Sequence, residues 1–238
     1  MNTILHIDTS GPDALIGISQ DLKIIASKQN SQSNTHGEFV QAGVDELFRD
    51  SAMQLKDIDA IAVTMGPGSY TGLRVGLASA KGLAFALNKP LIGLSTLTLL
   101  AKAAVGHLTA TENPLVNEKH LQVFSMIDAR RMEIFGAIYN SSLEYLAAEK
   151  AMILDEALLH ALLSNGPLIC IGSGVAKTKI LTQHADFHNY SPLFLDCSYT
   201  IHDMAALAMI KFKAADFEDL AYSGPAYLKD YYQKPLIK

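Results

Sequence analysis

The sequence predicts an α/β protein of two βββαβα lobes with a cleft between them, on three observations. Short β-type runs alternate with helical runs, the order βββαβα starts near residue 4 and starts again near residue 122, and a polar stretch with Pro114 separates the two series. The chain has 238 residues, enough to bury two cores.

Residues 4–8, 15–19 and 23–26 read as strands, with turns at Gly11-Pro12-Asp13 and Gln20-Asp21. Thr35 and Glu38 form a capping box that opens a helix, in which Phe39, Val40, Gly43, Val44, Leu47 and Phe48 make one apolar stripe. Residues 59–65 form an almost unbroken apolar strand, as expected of a strand covered on both faces. A turn at Gly66-Pro67-Gly68 leads into a helix over residues 70–87, followed by a strand at 91–94 and a helix at 96–105. The second series has strands at 122–127, 133–139 and 145–152, with Ala129-Arg130-Arg131 as a hairpin turn. A helix at 155–163, a strand at 168–171 and helices at 175–183 and 201–212 complete it. The expected boundaries are a first lobe over 1–105, a linker over 106–119 within a second lobe of 106–200, and a tail over 214–238. The helix 201–213 is free to pack back on the first lobe.

Hydrophobic residues make up 49% of the chain and charged ones 18%, which excludes disordered and collagen-like classes. The formal net charge of −5 provides no global field for phosphate backbones, so tRNA contact is expected only through a partner. Cys170 and Cys197 form no CxxC and read as thiols in a reducing compartment. The N-terminus lacks a basic n-region, and the longest uncharged stretch, 157–176, is broken by Ser164-Asn165-Gly166-Pro167. A soluble, cytoplasmic protein is expected.

The densest motif runs from Gly66 to Gly76. A strand, a glycine turn and a helix N-terminus converge free N–H groups and a helix dipole, the ingredients of an anion site. No Lys-Ser/Thr closes the loop, and Thr71 breaks the GxGxxG spacing. With Asp8, Thr9 and Ser10 at the end of the first strand, and Gly172 and Gly174 after a later one, Gly66 and Gly68 are the candidate cleft residues.

The helix behind the loop carries small residues at Gly72, Gly76, Ala80 and Ala84. Each glycine there weakens the helix by roughly 1 kcal/mol, a cost that close approach of another backbone offsets. That backbone belongs either to a partner or to the lobe's own sheet. A partner or dimer interface is the preferred assignment, drawing on Tyr70, Gly72, Leu73, Arg74, Gly76, Leu77, Ala80 and Lys81, with Phe39, Val40, Gly43, Val44 and Leu47 of the preceding helix. His184 and His188 have an i, i+4 spacing without a third ligand, so a surface pair is expected and no metal site. His36 reads as a neutral surface histidine, and Asp128, Arg130 and Arg131 as an exposed hairpin ion pair.

From Ile7-Asp8-Thr9-Ser10, GPGSYTGLRVGLASAKGLAFAL at 66–87, Pro90 to Leu97 and Ile127-Asp128-Ala129-Arg130-Arg131, the chain strongly resembles the TsaB (YeaZ) family. Gly172-Ser173-Gly174 and Pro225-Ala226-Tyr227-Leu228 are later echoes. The resemblance implies the ASKHA fold of actin and the sugar kinases. It implies a non-catalytic subunit that pairs with TsaD through first-lobe helices, is joined by the ATPase TsaE, and homodimerises when alone. No intrinsic cofactor is implied; ATP is used by the complex through TsaE. The reaction implied is threonylcarbamoyl transfer to N6 of the adenosine next to the anticodon in ANN-reading tRNAs. Chains resembling TsaD carry a metal-binding HxxxH where this sequence has Thr96 and Leu100, neither able to replace an imidazole. The alternative is an ASKHA enzyme in its own right, an ATP-dependent transferase or a glycoprotease-like metallopeptidase of the M22 type.

Overall fold

A computed structural model describes residues 1–31, 36–184 (without the side chain at 184) and 191–229. Asn34, the expected cap Thr35 and the His184/His188 pair therefore fall outside the described residues or side chains. The first sheet contains β1 (Thr3–Asp8), β2 (Ala14–Gln20), β3 (Lys23–Asn30), β4 (Ala60–Gly66) and β5 (Leu91–Ser95), in the order β3-β2-β1-β4-β5. The second contains β6 (Gln122–Asp128), β7 (Glu133–Tyr139), β8 (Tyr145–Ile153), β9 (Leu168–Ile171) and β10 (Leu193–Leu195), in the order β10-β9-β6-β7-β8. Each sheet pairs its first three strands antiparallel and its last two parallel, so one topology occurs twice, the doubled unit of an ASKHA fold.

The helices sort themselves by the period-2 pattern of the strands. Leu5, Ile7, Ile61 and Val63 face α1 (His36–Asp50) and α2 (Tyr70–Leu87), while Ile4, Ala60, Ala62 and Ile92 face α6 (Ile201–Lys213) through Met204 and Ala208. On the second sheet, Val123, Ala137 and Ile169 face α3 (Thr96–Ala110), while Phe124, Met126 and Cys170 face α4 (Glu156–Ser164) and α5 (Val175–His184). Five layers result: α1/α2, first sheet, α6 with α3, second sheet, α4/α5.

One expectation needs correction, and two features were not expected. The helix expected at 96–105 runs to Ala110, so the boundary drawn at 105 and the start of the linker fall inside it. Its continuous buried face, which includes Leu97, Leu100, Ala101, Ala104 and Leu108, explains the extension. β10 has only three residues, too few to register as a pattern. The described part of the segment after α6, expected simply as a tail, docks on both lobes. Glu218 pairs with Leu91 on the open edge of β5, the Ala226 N–H donates to the Met65 carbonyl at 2.7 Å, and Lys229 Nζ lies 2.5 Å from Glu133 Oε2 on the second lobe. We call residues 216–229 the strap.

Caps set the helix bounds that frame the cleft. Ser69 Oγ accepts from Gly72 N at the start of α2, and Asn88, left-handed at φ 51°, ends it by donating to Ala84 O. Ser95 caps α3 and also donates to Glu149 of β8, which accepts from Tyr145 Oη at 2.9 Å. This link between the lobes leaves the Tyr139 hydroxyl buried, and burial raises its ionisation well above the ordinary phenol range. Among the described residues, no helix is long and apolar enough to cross a membrane.

Candidate functional site

A cavity of about 930 Å³ lies between the lobes. Its first-lobe wall is Ser10 after β1, His36 and Gly37 at the start of α1, and Gly68, Ser69, Thr71 and Val75 around the start of α2. Thr96 and Leu100 of α3 contribute to its lining, and Ile127, Asp128, Phe135, Gly172, Ser173 and Lys179 come from the second lobe. Leu195 to Tyr199, the crossover returning the chain from the second lobe to the first, completes it.

Asp8 ends β1 with its carboxylate already committed. Oδ1 accepts from Ser10 N at 2.8 Å and Thr64 Oγ1 at 2.7 Å, and Oδ2 accepts from Tyr199 Oη at 2.7 Å. The Tyr199 hydroxyl also lies 3.0 Å from Ser10 Oγ. Burial, and then the Asp8 charge, push its ionisation well above the usual range, so it remains a donor. Asp8 is 3% exposed and does not line the cavity, so its carboxylate is turned to these partners rather than to a ligand there. Among the described residues, no group of three or more His, Cys, Asp and Glu side chains could hold a metal ion.

His36 and Asp128, two further titratable groups lining the cleft, are engaged as well, while Asp196 is exposed and Lys179 lies over the Phe194 ring. His36 is buried, not on the surface as expected, and its Nε2 donates to Pro12 O at 3.1 Å. Asp128 forms its ion pair with Lys177, 2.6 Å away, and accepts from the Arg130 N–H; it does not pair with the guanidinium groups of the hairpin. The Lys177 contact holds the Asp128 carboxyl below its ordinary range. Cys197 is half-buried, and desolvation, with Asp203 and Asp196 nearby, raises its thiol away from the reactive thiolate. Thr96 Oγ1 is buried without a hydrogen-bond partner.

Of the seven expected cleft residues, Ser10, Gly68 and Gly172 line the cavity. Gly172 is required there because its φ is +101° and a Cβ would overlap the Met126 carbonyl. Asp8 is closed off by Tyr199, and Thr9 Oγ1 donates to Gly72 O at 2.6 Å. Gly66 faces the strap at Ala226, and Gly174 faces Met126 and Ile134.

The expected interface also needs correction. The small-residue stripe approaches this lobe's own β1: a Cβ on Gly72 would overlap Thr9 O, and one on Gly76 would overlap Thr9 Oγ1. Leu73, Leu77, Ala80, Val40, Gly43, Val44 and Leu47 are buried with it, and Phe39 packs partly against the same core. Tyr70 and Arg74 remain exposed. Arg74 lies 4.0 Å over the Tyr70 ring and donates to Tyr227 Oη of the strap at 2.8 Å, while half-buried Lys81 donates to Ser223 O. Periodicity did not single out the outward stripe of α2, formed by Arg74, Ala78, Gly82 and Phe85. Phe85 is 82% exposed, and nothing lies within 4 Å of where a Cβ on Gly82 would sit.

Comparison with known proteins adds a lineage to this geometry. Residues 23–236 match the family model described as TsaD: tRNA N6-adenosine threonylcarbamoyltransferase. An uncharacterized protein of Mycobacterium tuberculosis is 30% identical over 141 residues, 58% of this chain and 60% of that protein, so the chain spans under two thirds of that relative's length. The tRNA threonylcarbamoyladenosine biosynthesis protein TsaB of Bacillus subtilis is 29% identical over 182 residues, 74% of this chain and 73% of that protein. The solved structure of YeaZ from Pseudomonas aeruginosa shares the fold, with a TM-score of 0.74 at 23% identity, covering 96% of this chain and 100% of that one.

Proposed function

Because the chain belongs to the TsaD family, on its TsaB/YeaZ branch, we propose that it serves tRNA threonylcarbamoyladenosine biosynthesis as a non-catalytic, activating partner of a catalytic TsaD. The product is threonylcarbamoyl on N6 of the adenosine beside the anticodon in ANN-reading tRNAs. TsaE joins the pair and hydrolyses the ATP, tRNA is met only through the complex, and the chain alone forms a homodimer in the cytoplasm.

The observation that carries this reading is the closed carboxylate at the head of the cleft. Asp8 spends both oxygens on Ser10, Thr64 and Tyr199. Thr96 and Leu100 of α3 line the cleft, and the described residues gather no group of His, Cys, Asp and Glu that could hold a metal. The outward stripe of α2 supports the partner role, since it carries an arginine and, three turns on, a phenylalanine that is 82% exposed, and a large aromatic left bare on a helix face suits a protein contact.

Reconstituted tRNA modification tests the proposal, with the adenylate-forming enzyme, TsaD and TsaE present and this chain added or withheld. Modification that depends on the chain, together with no ATP hydrolysis by the chain alone, is the expected result. Equal modification without it, or turnover by the isolated chain, overturns the reading.

A further inference from the structure

On the second lobe, an open groove of about 470 Å³ is lined by the apolar Met132, Ile153, Leu154 and Leu181 together with Asp155 and Glu156. Met132 is 41% and Ile153 63% exposed, and Ile180 beside Leu181 is 56% exposed. Exposed apolar side chains gathered at one groove beside two carboxylates suit a short segment that carries both apolar and cationic side chains. The path of the chain identifies what covers it.

The strap leads there. After Tyr227 is held by Arg74, Leu228 packs against the core under α3, and Lys229 pairs with Glu133. Glu133 is the β7 residue paired with Ile153, and the Leu154 N–H donates to Met132 O at 2.8 Å. Lys229 is thus anchored at the edge of the groove. The next residues are Asp230-Tyr231-Tyr232-Gln233-Lys234-Pro235-Leu236-Ile237-Lys238, which lie outside the described residues. At about 3.3 Å per extended residue, two or three residues reach the groove from Lys229.

We propose that residues 230–238 dock in this groove of their own chain. Tyr231, Tyr232, Leu236 and Ile237 supply the apolar side chains, and Lys234 and Lys238 answer Asp155 and Glu156. The strap then runs unbroken from the edge of the first sheet across to the outer side of the second, and the tail fastens the lobes together.

Met132 reports on occupancy, because a covered thioether oxidises more slowly than an exposed one. The full chain and its Leu236→Asp/Ile237→Asp variant are treated with dilute peroxide at low and high protein concentration, and Met132 sulfoxide is followed by peptide mass spectrometry. Met1, 88% exposed, is the internal reference. Met132 oxidation about threefold or more faster in the variant, with Met1 unchanged and no dependence on concentration, is the expected result. Equal rates overturn the proposal and assign the groove to another segment, such as residues 185–190, or to an outside partner. Protection that grows with protein concentration also overturns it and assigns the groove to a second copy.

Discussion

The hydroxyl of Tyr199 donates to Oδ2 of Asp8 at 2.7 Å, and this bond ties the end of β1 to the crossover that returns the chain from the second lobe. Tyr199→Phe keeps the ring and removes the one donor that the described residues give that oxygen. A lost bond to a buried charged group costs about 1.5–3 kcal/mol. Urea denaturation should show a lower midpoint with little change in slope, the unfolding free energy falling by about that amount.

The inward stripe of α2 makes the opposite demand from a partner surface. Gly76→Leu places a branched side chain into Thr9 and should destabilise the first lobe by about 3 kcal/mol or more, seen as a loss of the cooperative thermal transition. Gly82→Ala meets open space and should stabilise the helix by roughly 0.5–1 kcal/mol, raising Tm.

Phe85→Asp separates fold from binding. At 82% exposure the change should leave Tm within about 2 °C while weakening association with TsaD at least ~10-fold in gel filtration or calorimetry. Unchanged association would exclude the outward stripe of α2 as the contact.

Acid stability should follow His6. This residue is fully buried, its Nε2 lies 2.8 Å from Ser19 Oγ, and Nδ1 has no hydrogen-bond partner; burial pushes its pKa down to about 3. The folded state keeps the ring neutral while the unfolded chain binds a proton near pH 6.5. The His6 contribution to stability is therefore whole above pH 6.5 and is lost as pH falls toward 3, at up to about 1.4 kcal/mol per unit. A His6→Leu/Ser19→Ala chain should show a shallower decline over that window in pH-dependent urea melts. An identical slope would exclude His6 as its source.

Much of the architecture was readable because strands and helices leave periodic marks. The bounds of α2 and β7 match the expectation, and the doubled βββαβα order is the topology of both sheets. Periodicity shows that a face is special without showing what it faces. The stripe of Gly72, Gly76 and Ala80 suited a partner's backbone as well as β1, and only the position of Thr9 distinguishes them. Tyr199 and the strap left no periodic mark, since both act from irregular backbone far along the chain from Asp8, Leu91 and Arg74; Pro225 to Leu228 stood out only through the family resemblance. His36 looked exposed because its partner, the Pro12 carbonyl, comes from a turn rather than from its own helix.

The interleaving of α3 and α6 between the sheets bears on how the molecule is born. The face of the first sheet formed by Ile4, Ala62 and Ile92 is covered by Met204 and Ala208, which leave the ribosome only after the whole second sheet. Domains usually fold as they emerge, N-terminal first. Here the nascent first lobe must wait with an apolar face bare, and a truncated message ending before α6 should yield a product that chaperones retain.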